Sequence, residues 1–111
     1  MILFQNCRLF DGSGDELLED RHVLVEGGRI KEVADSPIKA EGADVIDLKG
    51  RTLMPGLIDA HFHAMAADPD FAKMENMPRS LLHKHARVLL EAALKRGFTT
   101  IRDAGGADYG L

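Results

Sequence analysis

The sequence predicts an α/β chain: strands and tight turns in its first half, then one parallel strand–helix–strand unit. Three observations carry this. Short apolar or β-branched runs alternate with glycine-containing turns as far as Gly50. A Pro55-Gly56 break then changes the character of the chain. Beyond it, one long segment with helical periodicity, residues 78–96, lies between two strand-like runs.

Taken in order, residues 2–10 form an apolar strand interrupted by Gln5, Asn6 and Arg8. Asp11-Gly12-Ser13-Gly14 is a turn, because glycine accepts positive φ and Asp and Ser bond their own backbone. Residues 22–26 are a β-branched strand, and Gly27-Gly28 offers a two-residue hairpin turn. Residues 29–33 alternate polar with apolar, as a half-buried strand does. Ser36-Pro37 opens a loop, residues 45–48 form a further short strand, and Lys49-Gly50 turns the chain. Residues 57–63 read as a strand with an apolar start, the pattern of a buried parallel strand. Residues 64–77 form a loop longer than most connections, which favours a functional role.

Pro78 suits a first helical turn, where no amide partner is needed. Leu81, Leu82, His85, Val88, Leu89 and Ala92 are spaced as one apolar stripe. Lys95 and Arg96 complement the negative end of the helix dipole, and Gly97 caps it. Residues 98–102 form the following strand, ended by Asp103-Ala104-Gly105-Gly106. Strand, loop, helix and strand over residues 57–103 make a βαβ unit, expected to be parallel and right-handed. The domain boundary is placed between residues 55 and 56.

Composition narrows the function classes. The hydrophobic share of 45% and charged share of 29% are those of an ordinary soluble domain. A net charge of -4 with acids and bases interspersed argues against nucleic acid as a partner, since phosphate binding needs a basic face. Cys7 is the one cysteine, so no intrachain disulfide forms and thiolate-based zinc binding by one chain is excluded. No apolar run approaches the roughly 18 residues of a membrane span. The first ten residues are too short for a signal peptide and lack a basic start, which points to the cytoplasm.

The chemistry-bearing motif is Asp59-Ala60-His61-Phe62-His63. In a strand, side chains two apart share a face, so Asp59, His61 and His63 lie on one side and Ala60 and Phe62 on the other. Two imidazoles on one face can bind one divalent metal through neutral ring nitrogens. The bland alternative is a strand end with two solvent-facing histidines. Asp59, one step deeper, is placed either to orient an imidazole or to bond nearby backbone.

The run Pro55-Gly56-Leu57-Ile58-Asp59-Ala60-His61-Phe62-His63 resembles the metal-site signature of the amidohydrolase superfamily. The hairpin Val25-Glu26-Gly27-Gly28-Arg29-Ile30 and the lead-in Asp47-Leu48-Lys49-Gly50-Arg51-Thr52-Leu53-Met54 are similar to the small β-domain that opens such enzymes. The second strand, Arg96-Gly97-Phe98-Thr99-Thr100-Ile101-Arg102-Asp103-Ala104-Gly105-Gly106, resembles the branch of imidazolonepropionases and metal-dependent Xaa-Pro dipeptidases and carboxypeptidases.

The resemblance implies a small β-sandwich-like domain over residues 1–55. It implies the first βαβ unit of a (β/α)8 barrel over residues 56–111. A closed barrel takes about 250 residues, so the barrel is incomplete in 111. It further implies a divalent metal, zinc first, with one or two ions in the complete site and His61 and His63 as two of the ligands. A small-molecule or peptide substrate is expected, cleaved at a C–N bond by metal-activated water. The family's carboxylated lysine, two later histidines and aspartate have no counterpart here. The 111-residue chain alone is therefore expected to be inactive, with a C-terminal portion missing, a partner chain supplying the rest of a split enzyme, or a structural or metal-binding role instead. A homo-oligomer is also expected.

The remaining candidates have plainer readings. His83 and His85 are also two apart, but on a helix that spacing turns the rings by about 200°, nearly opposite. His85 is expected on the apolar stripe and His83 in solvent, while His22 is read as structural. Arg102 and Asp103, on the rim reached by His63, are placed to bind a substrate carboxylate, to support the histidines, or to form an ion pair. Gly105-Gly106 is either an anion nest or a turn. The acids at 11, 15, 16, 19 and 20 form a solvated face, without the order of a calcium loop.

Overall fold

Alternating apolar residues and one break in backbone conformation shape the first sheet. The computed structural model describes residues 1–107, except for the Phe71 side chain; the last four residues of the expected second domain lie outside that description. The chain divides into two units that meet between Pro55 and Gly56.

In the first unit, β1 (Ile2–Leu9) pairs antiparallel with β2 (Leu18–Glu26), and β2 with β3 (Arg29–Ala34) across the Gly27-Gly28 turn. Both glycines have positive φ, 58° and 75°, which the two-residue turn demands. On the other edge of β1 lie two parallel strands in succession, β4 (Asp44–Asp47) and β5 (Thr52–Leu53). Asn6, at φ 55°, interrupts β1 between them; its carbonyl accepts from Gly50 N–H at 2.7 Å and its side-chain amide donates to Asp47 at 3.0 Å. This explains why Gln5, Asn6 and Arg8 break the apolar run without ending the strand. The second strand begins four residues earlier than expected, at Leu18. The two-residue β5 is too short to leave a periodic signal.

Cys7, Leu9 and Val23 form the buried centre of this sheet, with Phe4, Leu18, Val25, Leu48 and Leu53 packed around them. The Cys7 thiol donates to the Arg21 carbonyl at 3.1 Å, and burial raises its pKa. His22 is buried within β2.

The second unit is a parallel pair, β6 (Leu57–Phe62) and β7 (Phe98–Asp103), joined through α1 (Phe71–Glu75) and α2 (Arg79–Lys95). The loop expected over residues 64–77 contains α1, which Asp70 caps by accepting from Ala72 and Lys73 N–H. A five-residue helix offers too few turns for apolar periodicity to show. Pro78 sits at the N-cap of α2, and its carbonyl accepts from Leu81 and Leu82 N–H. Gly97, at φ 94°, closes the other end and passes the chain into β7.

The buried face of α2 differs from the expected stripe. Ala86 and Ala93 are its buried residues, with Leu82, Leu89 and Leu90 half-buried, whereas Leu81, His85 and Val88 are exposed, Val88 at 57%. His83 is half-buried and His85 exposed, the reverse of the expectation. The reason is close approach: alanines let the helix backbone settle near the strands, where branched side chains at Val88 would hold it away. No helix among the described residues is long and apolar enough to cross a membrane.

Gly56 is required by packing rather than by backbone conformation. A Cβ built there would overlap the Thr99 side chain and stand 2.7 Å from Thr99 Cβ. Gly56→Ala is expected to destabilise the protein by about 1–3 kcal/mol, the usual range for overpacking. Adding Thr99→Ala removes the nearest atoms and should recover part of the loss. Chemical denaturation of both variants checks this, and an unchanged midpoint in Gly56→Ala would contradict it.

Candidate metal centre

The end of β6 presents its chemistry by strand alternation. Phe62 packs on the buried cluster of Ala64, Met65 and Ala86 beneath α2. Its neighbours on either side, His61 and His63, therefore turn the other way and are exposed. Their Nε2 atoms approach to 3.2 Å, with ring centroids 5.0 Å apart and planes at 72°. His63 lies one residue beyond the last paired residue of β6.

The tautomer of His63 follows from its other nitrogen. Nδ1 lies 3.0 Å from the Gly105 carbonyl oxygen, which can only accept, so Nδ1 carries the proton. Nε2 of His63 is then a lone pair. In the tautomer of His61 that carries its proton on Nε2, that N–H donates to the lone pair. A cation in place of that proton would have one ring nitrogen of each histidine beside it. Two ligand nitrogens of a tetrahedral zinc at about 2.0–2.1 Å stand about 3.3 Å apart. The observed separation fits.

Asp59 takes one of its two expected roles. Its Oδ1 accepts from the His61 N–H at 3.0 Å, an Asx turn that fixes backbone and does not reach an imidazole. Asp103 bonds backbone on both oxygens: Oδ2 accepts from Ala64 N–H at 2.8 Å and Oδ1 from Gly105 N–H at 2.9 Å. The Ala64 amide is the main cause holding this carboxyl below its ordinary pKa, with the Gly105 amide adding to it. The Arg102 side chain, next along β7, is exposed and makes no hydrogen bond or ion pair among the described residues, so of its alternative readings the ion pair is not formed. Gly105 and Gly106 both have positive φ. The Gly105 carbonyl was not singled out by sequence reasoning, which searched side chains; its one signal was the glycine pair after the strand.

No group of three or more His, Cys, Asp or Glu side chains is placed to hold a metal among the described residues. His83 and His85 do not join the pair. Beside His63 lies a cavity of about 330 Å³ lined by Met65, Ala66, Met74, Gly105 and Gly106. Its wall is mostly apolar.

Comparison with known proteins gives this arrangement a family. Residues 44–96 match a family model described as Amidohydrolase family. A crystal structure of an amidohydrolase superposes with a TM-score of 0.92 at 46% identity, covering 98% of this chain and 26% of that one. The chain belongs to the amidohydrolase superfamily. A prolidase structure complexed with N-methylphosphonate-L-proline superposes at TM-score 0.94 and 40% identity, over 99% of this chain and 27% of that one. This amidohydrolase chain is also 36% identical to a dihydroorotase of Bacillus thuringiensis (strain Al Hakam), over 89% of this chain and 20% of that protein. The chain thus spans about a fifth of the length of that curated relative. The prolidase similarity supports the Xaa-Pro dipeptidase-like branch.

The Asx turn can be tested without touching the imidazoles. Asp59→Asn keeps an acceptor oxygen and should change stability by less than about 0.5 kcal/mol. Asp59→Ala leaves the His61 amide without its partner and should cost about 1 kcal/mol. Thermal or denaturant melts decide, and equal stability of the two variants would contradict the assignment.

Proposed function

We propose that His61 and His63 are the first two metal ligands of an amidohydrolase that hydrolyses amide or peptide-like C–N bonds, with Xaa-Pro peptides as the substrate class. The 3.2 Å convergence of the two Nε2 atoms, with the His63 proton held at Nδ1, is the observation that carries this reading. Imidazole donors suit zinc, as they do copper, iron and nickel, and zinc is the ion taken here. Such an ion, when bound, supplies hydroxide near neutral pH and polarises the carbonyl under attack.

The chain's own residues have narrower tasks. His61 and His63 hold the ion through neutral nitrogens. Asp59 fixes the backbone from which His61 projects. The cavity beside His63 gives room to an apolar part of the substrate next to the reacting bond. The prolidase likeness supports proline-containing dipeptides, and the dihydroorotase likeness supports a dihydroorotase-type substrate as the competing class. The remaining ligands and the proton-shuttling group would come from outside residues 1–107, since no third ligand joins the pair among those residues.

In the same reading, residues 56–111 begin a (β/α)8 barrel and residues 1–55 belong to a small β-sandwich. The parallel β6–α2–β7 unit supports the first. An apolar groove of about 280 Å³ in the first unit, lined by Phe4, Val23, Val25, Ile30 and Leu53 among others, supports the second, because a second sheet would cover it. Ile30 is 70% exposed on its own. The isolated pair of ligands also suits a second reading: a metal-binding module, or one part of a split enzyme completed by another chain. The buried, reduced Cys7 fits a cytoplasmic setting.

In the full protein, His61→Ala and His63→Ala are each expected to lower bound metal and dipeptide turnover together. Elemental analysis alongside an Xaa-Pro hydrolysis assay measures both. Undiminished metal in both variants would overturn the ligand assignment. Metal lost with no Xaa-Pro hydrolysis in the unsubstituted protein would keep the metal site and reject the substrate class.

A further inference from the structure

We infer that Asp103 is a positioning residue that selects which nitrogen of His63 faces the metal side. Three hydrogen bonds form a closed loop between the ends of two adjacent parallel strands. Asp103 Oδ2 accepts from the Ala64 N–H, the amide immediately after His63. Asp103 Oδ1 accepts from the Gly105 N–H. The Gly105 carbonyl accepts from His63 Nδ1–H. One carboxylate therefore grips the backbone on which the imidazole sits and the backbone that receives its proton.

The choice of nitrogen follows from this arrangement. A neutral imidazole carries its proton on either nitrogen, and the partner of one decides the state of the other. A carbonyl at 3.0 Å from Nδ1 holds the proton there and leaves Nε2 free to bind a cation. Gly105 is the residue that allows the carbonyl to reach the ring, since its φ of 153° lies in a region that L side chains rarely adopt. Without Asp103, nothing else described ties the Gly105 amide or the Ala64 amide. The carbonyl would then drift from the ring and both tautomers would populate. The Arg102 side chain has no part in this, and each Asp103 oxygen accepts one of the two backbone amides.

The inference goes beyond the proposed hydrolysis and is tested on metal-free protein. The full protein is labelled with ring-15N histidine, and the His63 signals are assigned with His63→Gln. In the unsubstituted protein, Nδ1 should show the shift of a protonated nitrogen and Nε2 that of a bare one. In Asp103→Ala the two shifts should move toward a common average. Asp103→Asn, which keeps one acceptor, should lie between, and it decides the matter if Asp103→Ala does not fold. Zinc affinity, titrated separately, should fall about 10–100-fold in the variant with averaged shifts, as losing an outer partner of a metal-bound histidine typically does. Unaltered His63 shifts in a folded Asp103 variant would overturn the inference. Averaged shifts with unchanged zinc affinity would uphold the tautomer control while counting against His63 as a ligand.

Discussion

The hydrogen bond from the His63 ring to the Gly105 carbonyl joins the end of one parallel strand to the end of the next. Much of the site depends on it. The bond sets the protonation of one imidazole, and the alternation of β6 brings the other to within 3.2 Å. His63 lies just past the end of β6, whereas His61 projects from within it. A carbonyl inside the ladder is committed to strand pairing, whereas the Gly105 carbonyl, past the end of β7, meets the His63 ring. Parallel strands connected through a helix end on the same rim, so residues 42 positions apart become neighbours there.

Support runs inward from that rim. Asp103 holds both turns that carry the hydrogen bond. Phe62, facing the other way, anchors β6 in the cluster of Ala64, Met65 and Ala86. Small residues make this layer thin: Ala86 is fully buried at 0% exposure, and Gly56 leaves room for Thr99 across the strand pair. A change of one methyl group in this layer is felt at the rim because close-packed interiors transmit displacement rather than absorb it.

Much of this was legible in the residues. The βαβ order, the Gly27-Gly28 hairpin and the face shared by His61 and His63 all follow from period-two and helical spacing. Four features were not. The buried face of α2 was misplaced because its residues include two overlapping apolar stripes. Periodicity cannot choose between Val88 and the alanines, while close approach to a strand pair can. The short helix after Asp70 and the two-residue β5 are below the length at which a pattern appears. The partner of His63 was invisible for a different reason: it is a main-chain carbonyl, and every residue has one. Only the fold says which of them reaches a ring.

The most direct test is an anomalous-scattering map of the full protein crystallised with zinc. The account predicts one zinc peak at about 2.0–2.1 Å from both His61 Nε2 and His63 Nε2, with His63 Nδ1 still on the Gly105 carbonyl. Zinc bound through His63 Nδ1, or a pair of rings turned apart with the metal held elsewhere, would contradict it.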